Sequence, residues 1–231
     1  MTLNFRMICF GLICMLYSSR LGAQEVFQHV NNAADYVLFK DRKPHHRLDA
    51  SDIEGSPYQN DSFLPGEVYT VKATFKNVMM RYDIYNDWVE FMEEDVKYIL
   101  DPGPNILKVN VAGQSFQAQP FEEKGKVKMG FFKVLDTNTV KLMAKSFITF
   151  QDRKAAKALE SSNTPAKYIR AKDQYFVRLG SAAAIPIYNV KKLLEWLPNH
   201  KKSIASFVKR KKTSLNEKEL MELIAYYNNL E

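Results

Sequence analysis

Histidines and nearby carboxylates are the side chains of this sequence best suited to metal binding. His45 and His46 are adjacent, so a strand would point them to opposite faces. Asp49 and Asp52 follow closely, and a loop could gather all four around an ion, because zinc is bound by imidazole and carboxylate groups. A hydrolase-type or metal-dependent enzyme with a site near the His45/His46 loop is therefore one hypothesis. The alternative is a polar loop with solvated side chains.

A dense group of carboxylates follows further along the chain, at Asp83, Asp87, Glu90, Glu93, Glu94 and Asp95. Such a group could bind calcium or supply a carboxylate pair for glycoside hydrolysis. However, no Asp-x-Asp-x-Asp-Gly loop is present, and strand alternation places Asp83 on the solvent face. The pattern favours a charged strand edge that discourages aggregation between sheets.

Motifs for nucleophilic, zinc-peptidase and phosphate-binding chemistry do not occur in the sequence. It contains no Gly-x-Ser-x-Gly, no His-Glu-x-x-His and no Gly-rich phosphate loop. Cys9 and Cys14 are the two cysteines, and both lie near the N-terminus. The sequence thus assigns no catalytic residue, no metal ligand and no cofactor.

Two groups of residues are candidates for contact with a ligand or partner. Tyr85 and Trp88 lie in one predicted hairpin and would form a sugar-stacking platform if exposed, although aromatic residues in hairpins are usually cross-strand core pairs. The second group is the densest charge run of the chain, Lys209, Arg210, Lys211 and Lys212. At the end of a predicted helix these cations complement the helix dipole, and they could also contact an anionic surface.

The first 23 residues have the pattern of a cleavable signal peptide. Arg6 precedes an apolar stretch over residues 7–17, and Leu21-Gly22-Ala23 offers a cleavage site. The stretch is too short to span a bilayer, which takes about 20 residues. Neither Cys9 nor Cys14 follows the small residues of a lipoprotein anchor. We expect an exported protein that is not a lipoprotein.

Charge is distributed unevenly along the rest of the chain. Residues 24–140 hold 13 basic and 18 acidic side chains, whereas residues 141–231 hold 18 basic and 8 acidic ones. A basic half suggests an anionic partner. For an exported chain this would be an envelope protein or an anionic glycan or lipid surface, and not nucleic acid. A solvated, lysine-rich helical surface would give the same count. No second apolar run is long enough for a transmembrane segment.

Period-two alternation predicts about eight short strands after residue 65, followed by a further strand pair. They are Val68–Lys76, Val78–Tyr85, Trp88–Met92, Val96–Leu100, Ile106–Val111, Ser115–Gln119, Val127–Leu135 and Val140–Gln151, then Tyr168–Arg170 with Gln174–Leu179. Tight turns between them indicate an antiparallel sheet system, as a meander, a sandwich or an open barrel.

Helical spacing replaces strand alternation near the C-terminus. Apolar residues recur every three to four positions in three successive segments. Pro198 separates the first two segments, and Ser214 with Glu217 predicts a capping box before the third. The fold class is therefore α+β, with a polar segment at 24–64, an antiparallel β domain at 65–180 and a basic three-helix segment at 181–231.

Several blocks of the chain resemble an uncharacterised exported protein family of Bacteroidota. The blocks are Gly55-Ser56-Pro57-Tyr58, Phe63-x-x-Gly66, Arg81-Tyr82-Asp83-Ile84-Tyr85-Asn86-Asp87 with Glu90-Phe91, Gly130-Phe131-Phe132-Lys133-Val134-Leu135, and Tyr226-Tyr227-Asn228-Asn229-Leu230. The resemblance covers about residues 50–231. It implies a periplasmic or outer-membrane-associated location, and it implies no activity.

Together these patterns favour an exported cell-envelope protein with a non-enzymatic binding or assembly role. The enzyme with a site near the His45/His46 loop is the first alternative. The second is a peripheral protein that binds anionic membranes through its basic C-terminal helices.

Overall fold

The computed structural model describes residues 53–93, 95–153 and 164–230, which all belong to one compact unit. The predicted signal peptide and the His45/His46 loop lie outside these residues. The described strands are β1 Ile53–Glu54, β2 Leu64–Thr70, β3 Thr74–Asp83, β4 Trp88–Glu93, β5 Val96–Leu100, β6 Ile106–Val111, β7 Gln114–Glu123, β8 Lys126–Val134, β9 Val140–Lys145, β10 Ile148–Gln151, β11 Ala166–Arg170, β12 Gln174–Leu179 and β13 Ile185–Pro186. The helices are α1 Val190–Trp196, α2 Lys201–Lys211 and α3 Glu217–Asn228.

Ten of these strands form one antiparallel sheet in the order β13-β12-β9-β8-β7-β6-β2-β3-β4-β5. Its β13 end curls back, because Ala184 bridges Phe121 of β7 and the Ala184 N–H donates to the Pro120 carbonyl at 2.8 Å. The smaller sheet has the order β1-β11-β10. The predicted α+β class, with an antiparallel β-rich part followed by C-terminal helices, is confirmed.

A bent two-stranded arm connects the two sheets. β9 pairs with β12 in the large sheet, and β10 pairs with β11 in the small one, both antiparallel. The ladder is interrupted at residues 146–147 and 171–173. The predicted hairpin between Tyr168–Arg170 and Gln174–Leu179 is therefore wrong. The two segments do not pair with each other, because each pairs with a part of the predicted Val140–Gln151 strand. They follow one another along the same side of the arm.

The predicted single strand Val68–Lys76 is also wrong, because the chain reverses within it. The Thr70 hydroxyl accepts hydrogen bonds from Lys72 N and Ala73 N and donates to the Ala73 carbonyl at 3.0 Å. Such local bonding of a threonine side chain to the backbone favours a turn over a strand. β2 and β3 therefore form a hairpin, and Val71 at its tip is exposed.

The three helices pack on the β9 and β12 region of the sheet. Leu142 and Val177 of the sheet share one buried cluster with helix residues such as Leu193, Ile204 and Leu223. At the start of β9, the side chain of Asn228 accepts from Val140 N at 2.9 Å and donates to the Val140 carbonyl at 3.0 Å. A helix side chain thus completes the hydrogen bonding of a strand end.

The capping residue of α3 differs from the predicted one. Asn216, and not Ser214, accepts the capping hydrogen bond, which comes from Glu219 N at 2.9 Å. The Glu219 carboxylate accepts a hydrogen bond from Ser214 N at 2.5 Å. The N-cap therefore lies two residues after the predicted one, since Asn caps a helix as well as Ser does. The second bond comes from Ser214 and not from the cap residue, as it would in a capping box.

Candidate functional site

An exposed, strongly basic region lies on α1, α2 and the residue that follows α2. We call it the basic surface, and it comprises Lys191, Lys192, Lys201, Lys202, Lys209, Arg210, Lys211 and Lys212, all of them exposed. α2 carries five of these cations in 11 residues and no acidic side chain. It thus concentrates positive charge more than its neighbour α3, which has Glu217, Glu219 and Glu222.

Burial of one side of α2 fixes the direction in which its cations point. Ile204 and Phe207 are buried, and the Phe207 ring stacks on Tyr226 of α3 with centroids 4.4 Å apart. Because a helix turns once every 3.6 residues, the opposite side carries Lys202 and Lys209. These two side chains cannot turn inward without removing the apolar face from the core.

Some cations of the basic surface are engaged by neighbouring groups. Lys211 lies 3.8 Å from the Glu222 carboxylate, and Lys201 donates to the Glu195 carbonyl at 2.8 Å. Within the described parts of the chain, no carboxylate forms an ion pair with Lys202 or Lys209. We call Lys202 and Lys209 the outward row. Their positive charge is therefore not compensated by short-range ion pairs.

The predicted charge run forms the C-terminal end of α2. Lys209, Arg210 and Lys211 occupy the last turn, and Lys212 is the C-cap with a φ of 54°. This position suits the predicted interaction with the helix dipole. All four side chains are also exposed, so they could contact an anionic surface, although Lys211 lies near Glu222.

The aromatic pair of the predicted platform is not exposed as a unit. Trp88 is buried, with 7% of its surface accessible. Tyr85 is half-buried, and its ring meets that of Tyr168 edge-on at 5.4 Å. The two residues contribute to packing, in line with the usual role of aromatic residues in hairpins.

The carboxylates of the β3–β4 hairpin are in a different environment from the predicted one. Asp83 is 2% exposed and Glu90 is 5% exposed, so the prediction of a solvated strand edge is wrong for both. They are covered by residues 56–63, which we call the strap. Backbone bonds hold it, with Gln59 N donating to the Tyr82 carbonyl and Ile84 N donating to the Pro57 carbonyl, each at 2.9 Å.

Arg81 is the side chain that ties the strap to the sheet. Its guanidinium pairs with Glu90 on β4 at 2.7 Å and donates to the Asp61 carbonyl at 2.6 Å. The same group lies 3.5 Å from the centroid of Tyr58 and 4.5 Å from that of Phe63. Burial, followed by the Glu90 charge, raises the pKa of Tyr58.

Asp83 is buried beside this cluster and is held by the hairpin turn. Its carboxylate accepts from Asn86 N at 2.9 Å and from Asn86 Nδ2 at 2.8 Å. Burial raises the pKa of the Asp83 carboxyl despite these two bonds. These hydrogen bonds stabilise the turn between β3 and β4, so we assign Asp83 a structural role.

A second buried ionic group was not predicted from the sequence. Lys145 of β9 is 4% exposed, and its Nζ lies 2.6 Å from Asp87 Oδ2. Tyr82 donates to Asp87 Oδ1 at 2.6 Å, and Lys145 donates to the Phe131 carbonyl at 3.2 Å. Burial lowers the pKa of the Lys145 ammonium, while the Asp87 charge opposes the shift.

The surroundings of this ion pair are packed like a core. A Cβ added at Gly130 would lie 2.8 Å from Phe121 Cε1, 2.9 Å from Asp87 Oδ2 and 3.1 Å from Lys145 Nζ, so a larger residue here would displace these side chains. The Lys145 ammonium also lies 5.1 Å from the centroid of Phe132. A glycine within an otherwise regular strand was the one sequence signal for such close contact.

Two further chemical properties concern the described residues as a whole. They contain no group of three or more His, Cys, Asp or Glu side chains placed to hold a metal ion. None of the helices within 53–93, 95–153 and 164–230 has the length and apolar character needed to cross a membrane.

Comparison of the chain with protein-family models, curated proteins and solved structures gave no match.

Proposed function

We propose that this chain is an exported, non-enzymatic binding module of the cell envelope, and that the basic surface is its binding surface. The observation that supports this most directly is the fixed outward row of α2, where Lys202 and Lys209 lie opposite buried Ile204 and Phe207. The buried ionic groups around Arg81–Glu90 and Asp87–Lys145, in contrast, are enclosed by packed side chains and stabilise the fold.

The charge in the first turn of α2 is unfavourable for the helix alone. Lys201 and Lys202 occupy its first turn, where the helix dipole disfavours cations. A sequence selected only for stability would mix in acidic residues, as α3 does, so the pattern supports selection for an anionic partner.

Export is the part of the proposal that rests on the sequence. The signal-like residues 1–23 and the resemblance to an exported family support a periplasmic or outer-membrane-associated location. Expression of the full chain in a Gram-negative host, followed by fractionation and mass measurement, tests it. We expect a product cleaved after Ala23 in the envelope or periplasmic fraction, and an uncleaved cytoplasmic product would contradict export.

Binding is tested with dextran sulfate as a soluble polyanion and residues 24–231 as the protein. We expect salt-sensitive binding that weakens in the double variant Lys202→Gln, Lys209→Gln. The matched control is Lys126→Gln, Lys172→Gln, which removes the same charge from exposed positions outside the basic surface. Equal binding by both double variants would show that net charge, and not the basic surface, is responsible.

A further inference from the structure

We infer that the anionic partner of the basic surface is a phospholipid membrane, on which α2 lies with its outward row facing the headgroups. This inference rests on the proposed function and specifies its partner. It follows from the kind of side chain on the outward row, from the shape of that row and from the apolar residues that bracket α1 and α2 in the chain.

The outward row recognises charge and little else. Lys202 and Lys209 carry ammonium groups, which act as point charges without the planar, two-pronged geometry of a guanidinium. Ala205 and Ser206 lie between them and are also exposed. The row offers no aromatic ring for a sugar to stack on. Such a surface suits a layer of many mobile phosphates better than one defined acidic sugar.

The shape of the row suits a flat partner. Ala205 and Ser206 are small, so the helix backbone can approach a plane while the two longer lysine side chains spread along it. Lysine stems can also lie on the apolar boundary of a membrane with their ammonium groups among the phosphates. Nothing in this row forms a concave pocket for a compact anion.

Exposed apolar residues stand on either side of the α1–α2 segment in the sequence. Tyr188 precedes α1 and is 67% exposed, and Leu215 follows α2 and is 41% exposed. Tyrosine is enriched at membrane interfaces, where its ring and hydroxyl meet different media. Cations together with a few apolar side chains are typical of segments that lie on anionic membranes.

The experiment uses residues 24–231 and two kinds of vesicle in a flotation assay. One kind contains phosphatidylcholine alone, and the other contains equal amounts of phosphatidylcholine and phosphatidylglycerol. We expect binding to the anionic vesicles only, and its loss at high salt. The variant Lys202→Gln, Lys209→Gln should bind them about thirtyfold more weakly, since each lysine near such a surface contributes about fivefold to the affinity.

A second variant separates a membrane from other polyanions. Tyr188→Ser, Leu215→Ser keeps every charge and changes only exposed side chains. We expect weaker vesicle binding and unchanged dextran sulfate binding. Unchanged vesicle binding by this variant would overturn the inference.

The outcomes also distinguish the inference from the proposed function. Binding of dextran sulfate through the basic surface, without binding to anionic vesicles, would contradict the inference that the partner is a membrane. The proposed binding module would remain, with an acidic polysaccharide as its partner. Absence of both interactions would overturn the two proposals together.

Discussion

The β3–β4 hairpin and helix α2 are both densely charged in sequence, yet their charged side chains differ in exposure. Asp83 and Glu90 of the hairpin are buried beneath the strap, whereas Lys202 and Lys209 of α2 point outward. Within the hairpin, Glu90 pairs with Arg81, and Asp83 accepts hydrogen bonds from Asn86. The charges of the outward row have no such match among the described carboxylates.

The difference shows when a local sequence pattern can predict whether a charged side chain is exposed. In α2, the buried residues Ile204 and Phe207 define the exposed side within the helix itself. In a strand, alternation separates two faces but does not say which of them is covered. The outer face of β3 is covered by the strap, where the Tyr58 ring lies against the Arg81 guanidinium. Charge in a helix is therefore easier to interpret than charge in a strand.

The largest effect is expected at the buried ion pair. Asp87→Asn keeps the size of the side chain but leaves the Lys145 ammonium without its charge partner in a buried site. Breaking such a pair costs about 3–5 kcal/mol, which chemical denaturation would measure. The double variant Asp87→Asn, Lys145→Met should recover much of the loss. If Asp87→Asn alone is neutral, the pair does not stabilise the fold.

Arg81→Met tests whether the strap depends on the guanidinium. The change leaves the buried Glu90 carboxylate without its closest cation and removes the contacts with Tyr58 and Phe63. We expect a loss of about 3 kcal/mol, at the low end for a buried pair because Lys97 lies 3.8 Å from Glu90. Cleavage within residues 56–63 in limited proteolysis should increase.

Lys97→Met is the matched control for Arg81, since Lys97 touches the same carboxylate from a half-exposed position. Its cost should stay below about 1 kcal/mol, as for other exposed pairs. Similar losses in both variants would contradict the special role of Arg81.

The buried Asp83 carboxyl predicts a pH dependence. Burial raises its folded-state pKa above the unfolded value. Its proton is therefore held more tightly in the folded protein. The resulting stabilisation is complete below the unfolded pKa of about 4 and is lost as pH rises through the folded-state pKa. The stability of Asp83→Asn relative to the natural protein should increase over this rise in pH.

Urea denaturation across this pH range measures the effect, and Asp152→Asn provides the exposed control. A difference between Asp83→Asn and the natural protein that does not change with pH would show that the folded structure does not alter the titration of this carboxyl.

The smallest effect on stability is expected on the basic surface. Lys202→Gln, Lys209→Gln should change the free energy of unfolding by less than about 0.5 kcal/mol, as is usual for exposed positions. Thermal or chemical unfolding beside the binding assays would measure this. A large loss of stability would mean that the lysines support the fold, and it would remove the contrast with the hairpin.

The sequence predicted those elements whose signals are local. β5 Val96–Leu100 and β6 Ile106–Val111 match their predicted bounds, and the α+β class follows from the order of the elements. The errors arose where partners are distant. The two sides of the bent arm and the strap depend on contacts that no local period reveals, and Lys145 looked like an ordinary polar position in a strand. For the site, the position of Lys209 to Lys212 at the end of a helix was predictable from the apolar spacing that precedes them.

The hydrogen bonds between Asn228 and Val140 join positions that are 88 residues apart. During synthesis, the first residue of β9 is made long before the side chain that completes its bonding. Leu142 and Val177 likewise lack their apolar cover until α3 has been made. Contacts between such distant positions form slowly. The helical segment of this protein should therefore acquire its structure late, and a chain truncated before α3 should remain protease-sensitive there.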